Sequence, residues 1–221
     1  MLLILFCFGA CWASFITTMT WRHLIHSSRT YSAVSSCDFC KQRLPLGSLI
    51  PIVGFILQCG RAKCCDHRLE KFWPLIELVN GISWMLIPTT TLTELILFLI
   101  SDSALLATCT EDWFTKRFST FLLLPLGLLH WLSIAPPFTM ANLIGTVAFA
   151  TTYLLPGIGN GDVDWIIICC LALGPQITVP IVLAACLCSL LDPRIRQHRA
   201  VPFIPYLCLG LAVVLTTNVI T

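Results

Sequence analysis

The side chains of this chain best suited to chemistry are two aspartates far apart in sequence, each ending or starting a hydrophobic run. Asp112 follows Glu111 at the end of one run, just ahead of Trp113, Phe114 and the basic pair Lys116 and Arg117. Asp162 follows Gly159-Asn160-Gly161, which joins a run ending at Leu155 to another starting at Val163. Two carboxylates brought close cannot both ionise cheaply, so they hold one proton between them. One then activates water while the other protonates an amide carbonyl, which is peptide hydrolysis without a metal or a covalent intermediate. The coupled pair would own the apparent pKa values. Glycines flanking Asn160 predict positive φ and close approach of a substrate chain, with Asp162 presented at a helix start. The plainer reading of Gly159–Asp162 is a polar turn with a helix-capping aspartate. Glu111 lies about 100° around the helix from Asp112 and is a poor alternative to it.

A second group is built from sulfur. Cys37, Cys40, Cys59, Cys64 and Cys65 lie in a basic insertion, residues 22–71. Cys37-Xaa-Xaa-Cys40 with later thiols has the outline of a four-sulfur zinc site. Metal ligation would fold an insertion too polar to build its own core. The competing reading leaves these cysteines as small hydrophobic residues with no metal.

The elements that position these groups are membrane spans. The chain is 57% hydrophobic and 11% charged, and apolar runs recur near 2–21, 72–88, 92–110, 118–135, 138–155, 163–173, 177–191 and 201–220. They lack the alternation of a barrel, so helices are expected: an all-α polytopic membrane protein of about eight transmembrane helices with one cytoplasmic insertion. The first run is read as a retained helix, since no positive segment precedes it and Arg22 follows it. Gly174, Pro175 and Pro180 predict a break between 163–173 and 177–191. No internal repeat is evident.

All thirteen Lys and Arg residues fall in connections on one side of this arrangement: Arg22 through Lys71, then Lys116 and Arg117, then Arg194, Arg196 and Arg199. The connections around Thr89–Thr91, Pro136–Pro137 and Gly174–Gln176 carry none. The basic side is cytoplasmic, so Asp112, Asp162 and the cysteine insertion are expected at the cytoplasmic face of a plasma membrane. There the compartment is reducing and structural disulfides are not expected. No nucleic-acid footprint is visible.

Read in order, the chain resembles the type IV prepilin peptidases, a group within the Gly-Xaa-Gly-Asp intramembrane aspartic proteases. The resemblance rests on Ala13-Ser14-Phe15 through Arg22, Cys37-Asp38-Phe39-Cys40, Pro51, Gly60-Arg61, Pro74-Leu75-Ile76-Glu77-Leu78, Asp112, and Gly159-Asn160-Gly161-Asp162-Val163. It implies that Asp112 and Asp162 are the catalytic pair, in a peptidase domain 72–221 that follows a first helix 1–21 and a cysteine loop 22–71. It implies a pilin-like precursor as substrate, cut next to a Gly on the cytoplasmic side of its hydrophobic helix. In bifunctional members paired Cys-Xaa-Xaa-Cys motifs accompany methylation of the new amino terminus, with S-adenosylmethionine as donor. Here the second pair is broken: Ala62 stands at its first Cys and Cys65 at its second, with Cys64, Cys59 or His67 as candidates for the fourth ligand. Two further departures are Phe118-Ser119-Thr120 where an Ile-Pro-Asp-like stretch is usual, and Asp164 where a basic residue is usual.

Other ionisable residues near the spans have plainer expectations. Glu77 holds the loop or lines a polar cavity, Asp102 is protonated and hydrogen-bonded, Glu94 is solvated, and His130 bonds a neighbouring helix. A small transporter or channel with Glu77, Asp102, Asp112 and Asp162 along a polar line is the competing function class. A metal-binding membrane scaffold is a third, and it leaves the Gly159–Asp162 loop unexplained.

Overall fold

The computed structural model of the protein describes residues 1–25, 35–86, 91–123, 139–154, 158–197 and 200–220. The part of the predicted span 118–135 beyond Leu123, with His130, the Pro136–Pro137 connection and Arg199, lies outside them. The described residues are helical, and their β-type pairing is confined to two isolated bridges, Ser36 with Arg43 and Arg61 with Arg68. Two helices, Leu2–Ile25 and Leu92–Thr115, have the length and apolar composition to cross a membrane. Shorter apolar helices run through Met140–Leu154, Pro175–Ser189 and Ile204–Val214. The chain divides into two compact units, Met1–Ile87 and Pro88–Thr221.

In the first unit, helix α1 (Leu2–Ile25) packs against α3 (Phe72–Leu86), with a short α2 (Val53–Leu57) between them in sequence. The contact is made where side chains are smallest. A Cβ on Gly9 would stand 2.7 Å from the Trp84 ring, and one on Gly81 would stand 2.8 Å from the ring of Phe6. Small residues that let backbones approach, with a polar group bonded across, are how apolar helices associate without a hydrophobic driving force. The polar group is Asn80, buried, whose Nδ2 donates to the Gly9 carbonyl at 3.0 Å.

In the second unit, α4 (Leu92–Thr115) begins with a capping box. The Thr91 hydroxyl accepts from the Glu94 amide and the Glu94 carboxylate accepts from the Thr91 amide, both at 3.2 Å, which satisfies two of the donors a helix start leaves free. Glu94 is therefore a cap. Helix α4 ends where Lys116 turns left-handed, φ 58°, its amide returning to the Asp112 carbonyl. Its 24 residues span about 36 Å at about 1.5 Å per residue, more than a hydrocarbon layer of about 30 Å. The last turn, with Asp112, lies beyond the apolar stretch 92–110.

Helices α5 (Met140–Ala150), α6 (Asn160–Leu173), α7 (Pro175–Ser189), α8 (Pro193–Arg196) and α9 (Ile204–Ile220) complete this unit. The expected break falls at Gly174, whose φ of 82° favours glycine, with Pro175 opening α7. Pro180 lies inside α7, where it cannot donate to the helix ladder. Gly210 of α9 lies against the Ile181 carbonyl of α7, and α9 also packs on α4 through Cys208 and Cys109, sulfur to sulfur 3.0 Å.

Candidate functional site

Asp112 is 6% exposed. Its Oδ2 accepts the backbone N–H of Ile204 at 3.0 Å, the first residue of α9. A helix start leaves amides without partners, and Pro205 at the next position has none to offer. A carboxylate from α4 thus serves as the cap of α9 from outside it, at the positive end of that helix's dipole.

Asp162 lies in the first turn of α6, half-buried, ahead of the apolar run that starts at Val163. Burial pushes its carboxyl up, the Asp112 charge adds to the push, and a backbone hydrogen bond from Gly159 opposes both. The result is a pKa of about 7 against an ordinary 3.8. The two aspartates are therefore brought within electrostatic reach of each other by α4 and α6.

The glycine loop differs from its expectation. Gly159 has φ −69°, and neither it nor Gly161 takes a positive φ. Helix α6 already starts at Asn160, so the loop is tighter than the spacing suggests. A different constraint makes Gly161 small: a Cβ there would stand 2.7 Å from the Phe118 ring. Phe118 is brought over α6 by the turn after α4, where the Glu111 carboxylate accepts the Ser119 amide at 3.0 Å. Glu111 shapes this turn. Asp164, the acid beside the pair, accepts a hydrogen bond from the Tyr153 hydroxyl.

Sequence reasoning missed a cluster on the α8–α9 side. Asp192, 8% exposed, caps α8 by accepting the Arg194 amide at 2.8 Å, and accepts the Tyr206 hydroxyl of α9 at 2.7 Å. The Arg194 guanidinium carbon lies 4.2 Å from the centre of the Trp113 ring, a cation–π arrangement. Burial lowers the Lys116 pKa and Arg194 lowers it further, while Asp112 and Asp192 oppose the shift. Only the Asp-Pro pair at Asp192–Pro193, a helix-start signal, pointed to any of this.

In the first unit the cysteines assemble. The Sγ atoms of Cys37, Cys40, Cys64 and Cys65 all lie within 4.8 Å of one another, with Cys37 to Cys65 at 3.8 Å and Cys64 to Cys65 at 3.9 Å. A tetrahedral thiolate site with metal–sulfur bonds of about 2.3 Å has edges of about 3.8 Å, so the four sulfurs fit one metal ion. Burial opposes ionisation of Cys37, but amides of Cys40 and Phe39 and the neighbouring thiols outweigh it and bring its pKa to about 7. The side chain of Cys40, then burial and the other thiols, push Cys64 up to about 12. Cys59 is outside the group, and His67 stacks on Phe39 with ring centres 3.4 Å apart.

The cysteine pairs stand on a local repeat of backbone hydrogen bonds. In the first turn Cys37 donates to Gln42, Lys41 donates to Cys37 and Leu44 donates to Ser35; in the second Ala62 donates to His67, Asp66 to Ala62 and Leu69 to Gly60. Lys41 and Asp66 are both left-handed, φ 58° and 55°. Residue for residue, Ala62 matches Cys37 and Cys65 matches Cys40, while Cys64 matches Phe39. Glu77, buried on α3, accepts the Ile52 amide at 2.7 Å and so ties the insertion to its helix; Ile52 itself is held at φ 61°.

Two interacting carboxylates on an apolar helical frame are the kind of site on which aspartic hydrolases are built. Residues 7–91 match the bacterial peptidase A24 N-terminal domain, and residues 99–192 match the type IV leader peptidase family. Together these matches span most of the chain, and it belongs to the type IV leader peptidase family. Among curated proteins it is 37% identical over 108 residues to the prepilin leader peptidase/N-methyltransferase of Bacillus subtilis, covering 44% of this chain and 43% of that one. It is 26% identical over 203 residues to the type 4 prepilin-like proteins leader peptide-processing enzyme of Escherichia coli, covering 80% and 72%. A Dickeya chrysanthemi prepilin leader peptidase/N-methyltransferase is 44% identical over 52 residues, 24% of this chain and 18% of that one. The chain thus matches less than half the length of the first of these relatives. No solved structure gives a significant match.

Proposed function

We propose that this chain is a multi-pass plasma-membrane aspartic endopeptidase that removes the leader of pilin-like precursors at the cytoplasmic boundary. Asp112 and Asp162 are its catalytic pair, and Gly159, Asn160 and Gly161 form the turn past which the substrate runs. The observation that carries this reading is that burial and the nearby Asp112 charge together leave Asp162 able to hold a proton near neutral pH. About eight spans, with residues 22–71 as the cytoplasmic insertion, follow from the one-sided placement of Lys and Arg. A cut at the interface supplies water and frees the substrate's carbonyls, which a helix in lipid would hide.

Cys37, Cys40, Cys64 and Cys65 would hold zinc, whose binding supplies folding energy to the insertion. Methylation of the new terminus, with S-adenosylmethionine as donor, is an optional second activity. The test is purified full-length protein with a pilin-like precursor, read by mass spectrometry of the new amino terminus. Cleavage that persists at the wild-type rate in Asp112→Asn or Asp162→Asn overturns the assignment. The same spectrum reports any added methyl group.

A further inference from the structure

A carboxylate pair used for hydrolysis must be asymmetric at the moment of attack: one member charged, the other protonated. The surroundings of Asp112 and Asp162 differ in this respect. Burial pushes the Asp112 carboxyl up, as it does that of Asp162, but three groups oppose the push at Asp112: the Ile204 amide it accepts at 3.0 Å, the Lys116 ammonium and the backbone of Phe203. Asp162 has only a backbone hydrogen bond from Gly159 among the influences favouring its charged form.

The donor on Asp112 is a backbone group, so its place depends on what fixes the start of α9. That segment is fastened by Asp192, whose two carboxylate oxygens bond different elements. Oδ1 takes the Arg194 amide of α8, and Oδ2 takes the hydroxyl of Tyr206 in the first turn of α9. The Phe203 carbonyl in turn accepts the amides of Tyr206 and Leu207. Tyr206, Ile204 and Asp112 thus form a short connected path from Asp192 to the candidate pair.

We propose that the first turn of α9, fastened by the Asp192–Tyr206 hydrogen bond, holds Asp112 as the ionised, water-activating member of the pair and leaves the shared proton on Asp162. Asp192 and Tyr206 are positioning residues. The inference rests on the peptidase reading above.

The resulting step balances. Asp112 takes a proton from water as the water oxygen bonds to the scissile carbonyl carbon, and Asp162 gives its proton to the carbonyl oxygen. On collapse one hydroxyl of the diol returns a proton to Asp162 as the carbonyl re-forms. The carbon–nitrogen bond breaks, and the leaving nitrogen takes the proton held by Asp112. Both side chains end as they began.

The groups that bear on Asp112 are Lys116 on the turn after its own helix, Asp162 from α6 and the Cys109 thiol of α4; Asp192, the cap of α8, and Arg194 within it act on Lys116, and Cys208 of α9 acts on Cys109. Of these, Tyr206→Phe touches only Asp192, from which it removes the fastening bond, and it leaves every charge in place.

The experiment is the pH dependence of precursor cleavage by full-length protein in detergent, comparing wild type, Tyr206→Phe and Asp192→Asn, with thermal melts alongside. Expected in both variants is an acid limb displaced upward by about half a pH unit, with the alkaline limb unmoved. kcat should fall about tenfold and KM change less than about twofold. Profiles that superimpose on the wild type after scaling overturn the inference, whether or not the melts shift. Asp112→Asn and Asp162→Asn are assayed in parallel. If either cleaves at the wild-type rate, it is the peptidase reading that fails, whatever the Tyr206 and Asp192 variants do.

Discussion

Ala62 occupies the position in the second cysteine turn that Cys37 occupies in the first, and the sulfur missing there is supplied two residues on by Cys64. The backbone hydrogen bonds of the two turns correspond, and the four sulfurs still lie within 4.8 Å of one another. Cys64→Ser should lower bound zinc from about one equivalent to well under half, because three thiolates leave the tetrahedron open. Ala62→Cys on that background should restore it, since the new thiol occupies the position matching Cys37. Metal content, and the intensity of sulfur-to-cobalt charge transfer after cobalt substitution, check both. Equal zinc in wild type and Cys64→Ser would remove Cys64 from the ligand set.

Much of the frame could be read from residue types. The break at Gly174–Pro175 was legible because a left-handed glycine followed by proline has few other uses. The two aspartates were legible because carboxylates beside long apolar runs are costly to place. The repeat beneath the cysteines was legible only where the family resemblance set Ala62 and Cys65 at the two positions of a second pair, because the rest is written in backbone hydrogen bonds: of the paired positions, only Cys40 and Cys65, Arg43 and Arg68, and Leu44 and Leu69 share a residue type. The contact of Ile204 with Asp112 was not legible, since an amide donor has no side-chain signature. The glycine loop shows a subtler limit. Small residues were expected there, but for backbone freedom; the reason at Gly161 is a ring arriving from a distant turn.

That ring sets a second prediction. A methyl on Gly161 meets Phe118 at 2.7 Å, so Gly161→Ala must displace the ring or the start of α6, which carries Asp162. Overpacking of this kind costs about 1–3 kcal/mol. Thermal melts of Gly161→Ala should show the loss, and Gly161→Ala with Phe118→Ala should recover part of it. A double variant no more stable than the sum of the two single losses would show that the two sites do not couple.

In the first unit the Asn80 side chain is the polar tie between α3 and α1. Asn80→Leu keeps the bulk but removes the donor to the Gly9 carbonyl, at a cost of about 1 kcal/mol in an apolar setting. Gly9→Leu should cost more, because its side chain would collide with the Trp84 ring and force the helices apart. Chemical denaturation in detergent orders the two variants. The reverse order would mean that the hydrogen bond, rather than close approach, holds the pair.

The final prediction concerns the proton on Asp162. Its folded pKa of about 7 lies above the ordinary 3.8, so between those values the folded chain binds more protons than the unfolded one. The stability this group contributes is fully present below pH 3.8 and is lost as pH rises through about 7. Asp162→Asn carries no such dependence. The Tm of the variant minus that of the wild type should therefore grow as the buffer is taken from acid to alkaline, by about a few degrees in total. Cleavage by the wild type should fade over the same upper range, because the protonated carboxyl is the form that donates to the carbonyl oxygen. A Tm difference that stays flat with pH would mean that Asp162 titrates alike in both states. The proton would then have to sit elsewhere in the site, and the division of roles between Asp112 and Asp162 would have to be reversed.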